Sequence, residues 1–224
     1  MVIQDYAPGR AVDLVGDMSA PTVLMWHGMQ TDSRAALLPL ATLLADHGVG
    51  VAVADWDSHA DDGGRADLLN SIDFARQFVR ASTGLTLVGW SMGGVAAAGL
   101  TIHSTDFDVP LVHTVCLGGA FMARDPISGE HLGEGLRSQG GGSPFTLLHG
   151  VRDDVVPVTA SREFAADLGR GGWPVTLVEL DTDHGGIAGA RYDADVDQYF
   201  PADDAQTRAT AAGVAGLIAA AMGV

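Results

Sequence analysis

Lysine is absent from all 224 residues, so the 12 basic residues are arginines, set against 28 acidic ones for a formal net charge of −16. That absence rules out a Schiff-base lysine, the lysine of a phosphate-binding loop and a serine–lysine dyad. The acidic balance argues against nucleic acid or an anionic membrane surface as partner and works against anionic substrates by field repulsion. A biased genome accounts for such a composition more readily than adaptation to a salt-rich environment. Cysteine is nearly missing too: Cys116 stands alone, which excludes an intramolecular disulfide, and it sits in the apolar run Leu111 to Leu117 as inert packing. No H-x-x-x-H or Cys–His spacing suggests a metal, and nothing in the pattern calls for a cofactor. No apolar run reaches the roughly 18 residues of a membrane span, and the start of the chain lacks a basic segment followed by an apolar one. A cytoplasmic protein without membrane or nucleic-acid partners is the expectation.

What is present is a core. At 47% apolar over residues 1–224, the chain has material for one α/β domain. Apolar, β-branched runs recur at Thr22 to Trp26, Val49 to Ala54, Leu85 to Val88, Leu111 to Leu117, Phe145 to Leu148 and Val175 to Leu180, with Val12 to Val15 as a leading edge strand. Helical patterns separate them at Ser33 to Asp46, Ala66 to Ala81, Met92 to His103 and Ala160 to Leu168, and a last one covers Asp204 to Ala221. This alternation predicts a mainly parallel sheet with helices on both faces. Val214, Leu217, Ile218 and Ala221 give the last helix an apolar stripe for the sheet, part of which could serve a homodimer. Asp125 to Ser143 is a long glycine-rich connection ending in Gly140-Gly141-Gly142; it either shapes a site or runs over the surface. A second polar connection, which includes Gly189 to Asp193, has no assigned purpose; Arg191 and Tyr192 reach a cleft rim or merely pin the loop.

Gly89-Trp90-Ser91-Met92-Gly93 follows a short apolar run and precedes a small-residue helix. A serine at so sharp a strand-to-helix turn is an exposed nucleophile, and the free N–H groups of the helix start favour an oxyanion beside it. Two later runs also end in titratable side chains. Phe145 to Gly150 is followed by Val151-Arg152-Asp153-Asp154-Val155-Val156-Pro157, and Val175 to Leu180 by Asp181-Thr182-Asp183-His184-Gly185. Ser91, Asp153 and His184 thus come in chain order after three predicted strands, where open α/β sheets build their sites. With the loop His149-Gly150-x-x-Asp153-x-x-Val156-Pro157, the chain resembles an α/β-hydrolase over nearly its whole length.

That resemblance implies a three-layer α/β-hydrolase fold and the Ser91–His184–Asp153 triad. Val23 to Trp26 followed by His27-Gly28-Met29-Gln30 resembles the family's oxyanion loop. Backbone N–H groups of Met29 and Met92 would hold the oxyanion, with Gln30 as the other source of the first amide. Asp154 is the neighbouring alternative acid, but spacing to Val156-Pro157 selects Asp153. Asp181 and Asp183 read as turn residues, and His27 and His149 as structural. Trp26, Met29, Trp90, Met92, Phe121 and Met122 line an acyl site or fill the core.

The stretch from Ala120 to Ser143 is too short for a helical cap, so an open cleft is expected, as in the small esterases and dienelactone-hydrolase-like proteins that this plan resembles. The dienelactone type carries cysteine where this chain has Ser91. Serine implies hydrolysis of a small or medium acyl ester through an acyl-enzyme. A thioesterase or small amide hydrolase, and a ligand-binding member without turnover, are the alternatives.

Overall fold

The computed structural model describes residues 1–79, 84–136 and 141–224. Eight strands form one sheet: β1 (Val2–Ala7), β2 (Arg10–Val15), β3 (Thr22–Trp26), β4 (Gly50–Ala54), β5 (Leu85–Trp90), β6 (Leu111–Leu117), β7 (Phe145–Gly150) and β8 (Val175–Leu180). Their spatial order is β1-β2-β4-β3-β5-β6-β7-β8. The first two pairings, β1 with β2 and β2 with β4, are antiparallel and the others parallel. The helices are α1 (Leu38–Asp46), α2 (Arg65–Ala75), α3 (Met92–Ile102), α4 (Leu132–Gly135), α5 (Thr159–Arg170) and α6 (Ala205–Met222). A 3-10 turn, Arg34–Leu37, leads into α1.

Strand alternation divides the core in two. Val23, Met25, Val51 and Val53 pack with Leu40 and Leu44 of α1 and Val214 and Ile218 of α6. Leu24, Trp26, Ala52 and Leu87 face the other way, onto Leu68 and Ile72 of α2 and Ala97 and Leu100 of α3. Cys116, Phe145 and Leu147 extend that second face to Phe164 and Leu168 of α5. Each such fully buried aliphatic side chain contributes roughly 1.5–3 kcal/mol, so both faces are strongly held. This is the three-layer α/β-hydrolase fold, without a large cap; among the described residues the connection from β6 to β7 holds only the one-turn α4. No helix among the described residues is long and apolar enough to cross a membrane.

The differences from the sequence reading lie at the margins. Val12 to Val15 is not the sheet edge, because β2 is flanked by β4 and by β1. β1 escaped notice because Val2 to Asp5 are all exposed, so no buried face imprints an apolar alternation. The helix expected over 66–81 ends at Ala75, and positions 80 and 81 lie outside the described residues, as does Gly140 of the glycine run. A further pair of strands, β9 (Ala190–Asp193) and β10 (Gln198–Pro201), forms an antiparallel hairpin in the connection that had no assignment.

Candidate active site

The parallel strands deliver their successors to one rim. Ser91 follows β5 directly and caps the N-terminus of α3 with φ 57° and ψ −118°. For a non-glycine residue this backbone conformation costs on the order of 1–3 kcal/mol, so its surroundings must impose it. They do so through hydrogen bonds: Ser91 N–H donates to Leu117 O at 2.9 Å, while Ser91 O accepts from Gly94 N–H at 3.0 Å and Ala120 N–H at 3.2 Å. The flanking glycines admit the close approach. A Cβ on Gly93 would stand 2.4 Å from His27 O, and one on Gly89 2.1 Å from Gly93 O.

Asp153 and His184 come from the loops after β7 and β8. His184 Nδ1 lies 2.7 Å from Asp153 Oδ2. A carboxylate can only accept, so Nδ1 carries the proton at this contact. Asp153 Oδ1 accepts N–H bonds from Val155 at 3.0 Å and Val156 at 2.8 Å. His149 Nε2 stands 3.4 Å from Asp153 Oδ2. That ring is wholly buried and is oriented by contacts to Val156 O at 2.9 Å and Ser161 Oγ at 2.6 Å. Burial pushes the Asp153 carboxyl up, but hydrogen bonding to His149, His184 and Val156 outweighs it and holds the group well below the usual carboxylate range. Asp153 is therefore an anion held by two histidines and two backbone amides.

The loop after β3 approaches Ser91 from the other side. A Cβ on Gly28 would meet Ser91 Cβ at 3.2 Å and Ser91 Oγ at 3.7 Å. Met29 O accepts from Ser58 Oγ, and Gly28 O lies 2.8 Å from His27 Nδ1. Met92 supplies the first residue of α3, its side chain packed into the core beneath.

Gly28, Met29, Ser91 and His184 share a cavity of about 770 Å³. Another part of its wall comes from Arg191, Tyr192, Asp197 and Tyr199 of the β9–β10 hairpin, with Asp204 and Thr207 from the start of α6, so Arg191 and Tyr192 do reach the cleft. Trp90 Nε1–H donates to His184 O at 2.9 Å, and Trp90 meets Tyr199 edge-on with ring centroids 4.9 Å apart. Burial first, then the nearby carboxylates of Asp153, Asp154 and Asp183, push the Tyr199 phenol up to about 12. The hairpin had a signal in Tyr192 and Tyr199, which pair across it, and in the Asp-rich stretch between them, where Asp197 adopts φ 53°. An aspartate tolerates the left-handed turn that hairpins need.

The other candidates separate cleanly. Asp154 is exposed and lines the cavity without bonding His184, Asp181 pairs with Arg152, and Asp183 takes the Gly186 N–H at 2.7 Å. Trp26 is core, its indole N–H donated to Ser71 Oγ, whereas Phe121 and Met122 border a separate hollow of about 160 Å³.

No protein-family model and no curated protein sequence matches the chain. Solved structures do. An esterase from the planctomycete Thermogutta terrifontis with propionate bound has a TM-score of 0.72 at 16% identity, covering 97% of this chain and 92% of that one. The same esterase with butyrate bound gives 0.71 at 16% identity, over 97% and 92%. Its form phosphorylated by paraoxon gives 0.73 at 17% identity, over 97% and 91%. At this identity the likeness establishes the fold.

Proposed function

We propose that the chain is a serine hydrolase that cleaves small or medium acyl esters through an acyl-enzyme. The observation that carries the reading is the strained Ser91 at the head of α3, sharing a cavity with a histidine whose Nδ1–H is committed to a buried carboxylate. Ser91 Oγ attacks the ester carbonyl carbon while His184 Nε2 takes its proton. Asp153 holds the imidazole in that tautomer and offsets its charge once protonated. The tetrahedral oxyanion sits between the N–H groups of Met29 and Met92, each such donor contributing about 3–4 kcal/mol to the transition state. His184 then gives its proton to the departing alcohol oxygen, and water repeats the sequence on the acyl-enzyme.

Two features support an ester of modest size. The cavity, about 770 Å³, falls in the usual range for small-molecule sites, and structures of similar fold are esterases with propionate or butyrate bound. The test is hydrolysis of nitrophenyl acetate, butyrate and octanoate by wild type and Ser91→Ala, beside labelling by a fluorophosphonate. The expected result is labelling at Ser91 and a loss on the order of 10⁵–10⁶-fold in the variant. An unlabelled Ser91 in a protein that hydrolyses these esters would overturn the assignment.

A further inference from the structure

We propose that Gln30 clamps the β9–β10 hairpin to the oxyanion loop, and that this hairpin is the wall that receives the alcohol part of the ester, favouring an aromatic group. The inference rests on the serine-hydrolase reading and deepens it. Gln30 is 167 residues from Asp197 in sequence, yet its side-chain amide bonds the hairpin backbone twice. Nε2–H donates to Asp197 O at 2.6 Å, and Oε1 accepts the Tyr199 N–H at 3.0 Å. Gln30 thereby acts as a short extra strand along β10, and it immediately follows Met29, whose N–H is assigned to the oxyanion. One side chain thus sets the distance between the oxyanion loop and the hairpin.

The side of the substrate that meets the hairpin follows from proton transfer. His184 must reach the leaving oxygen, so the alcohol lies on the His184 side of Ser91. Beside His184 the cavity wall carries three rings in contact with one another. Trp90 lies 5.3 Å and Tyr199 6.0 Å from the His184 ring, and Tyr192 stands 5.1 Å from Tyr199. Tyr192 O–H donates to Asp197 Oδ1, which fixes that ring to the turn that Gln30 grips. A flat apolar group against these rings gains offset or edge-on ring contacts, worth up to about tenfold in binding.

Benzyl acetate and ethyl acetate, which share an acyl group and have similarly basic leaving groups, are the probes. Wild type is expected to favour benzyl acetate about tenfold in kcat/KM. In Gln30→Ala that preference falls below about threefold, chiefly through a higher KM, and Tyr199→Ala does the same. The double variant is expected to lose no more than Tyr199→Ala alone, because Gln30 acts through the hairpin. Amide exchange gives a readout independent of turnover: the Tyr199 N–H, which donates to Gln30 Oε1, exchanges faster in Gln30→Ala than in wild type. Unchanged Tyr199 exchange in Gln30→Ala would overturn the clamp, and equal losses for the two esters or additive losses in the double variant would overturn the wall. If wild type cleaves neither ester while Tyr199 exchange still responds to Gln30→Ala, the hydrolase reading and the alcohol wall fall and the clamp stands.

Discussion

Gly118 is a residue that a search for catalytic side chains passes over, yet replacing it with alanine probes the His184–Asp153 pair directly. Its φ is +51°, and a Cβ there would stand 3.1 Å from Asp153 Oδ2 and 3.3 Å from His184 Nδ1. Two effects add. Left-handed backbone in an alanine costs about 1 kcal/mol, a fall of roughly 2–4 °C in melting temperature for a chain of this size. The contacts then require a shift of a few tenths of an ångström. Asp153 is tethered by Val155, Val156 and His149, so His184 is the partner that yields. Because a 1 Å misplacement can cost about a hundredfold, a shift of this size should lower kcat/KM for nitrophenyl acetate roughly tenfold, about 1.4 kcal/mol. Gly9→Ala is the control, with φ +73° and open space around the added methyl group in the turn between β1 and β2. It should lose similar stability and keep full activity. A Gly118→Ala enzyme as fast as wild type would refute the reasoning, since it would mean that the pair has slack or is not used.

Gly93→Ala should be far worse for folding, because its methyl group would lie 2.4 and 2.5 Å from the carbonyl oxygens of His27 and Trp26 and backbone must move; a loss of about 3 kcal/mol or more by denaturant titration is expected. Asp153→Asn should slow ester hydrolysis about 10³–10⁴-fold and lower stability at neutral pH by about 2 kcal/mol. Since the Asp153 carboxyl ionises more readily folded than unfolded, its contribution is complete above the unfolded value near 4 and fades as pH falls toward the lower folded value, so the gap between the melts of the two proteins should begin to narrow below about pH 4.

The sheet and its helices were legible because most of their strands are buried on both faces, which writes continuous β-branched runs into the chain. β3 and β6 begin and end where Thr22 to Trp26 and Leu111 to Leu117 said they would. β8 was read from its β-branched residues although it is only half-buried. β1 and the β9–β10 hairpin lie outside the core, and their residues answer to hydrogen bonding rather than burial. Local pattern therefore carried little of them. The positions of Ser91, Asp153 and His184 at strand ends were legible because a sharp turn needs glycines and because the loop around Asp153 resembles the acid loop of α/β-hydrolases. Gln30 was not, because its partners lie 167 and 169 residues away and a glutamine in a loop has no local signature.

The oxyanion loop illustrates how much of such a site resides in peptide orientation rather than in side-chain identity. Gly28 O can only accept, so His27 Nδ1 carries the proton at that 2.8 Å contact, and Nε2 is left to accept the Trp56 N–H at 3.2 Å. Both ring nitrogens are thereby committed, and a fully buried imidazole fixes the direction of the Gly28 carbonyl. In a planar trans peptide the carbonyl and the next N–H point in opposite directions. Binding Gly28 O to the ring therefore turns the Met29 N–H away from it, on the peptide that borders the cavity. Ser58 holds the next carbonyl, that of Met29, and Gln30 is tied to the hairpin. Three successive residues are thus anchored, Gly28 by the ring of its neighbour His27, Met29 by the loop after β4 and Gln30 by the hairpin. A donor fixed in this way needs no reorganisation when charge develops on a carbonyl oxygen, which is the condition under which a backbone amide contributes most to a transition state. We therefore propose the Met29 N–H as the first oxyanion donor, with the Gln30 side chain setting the wall beside it.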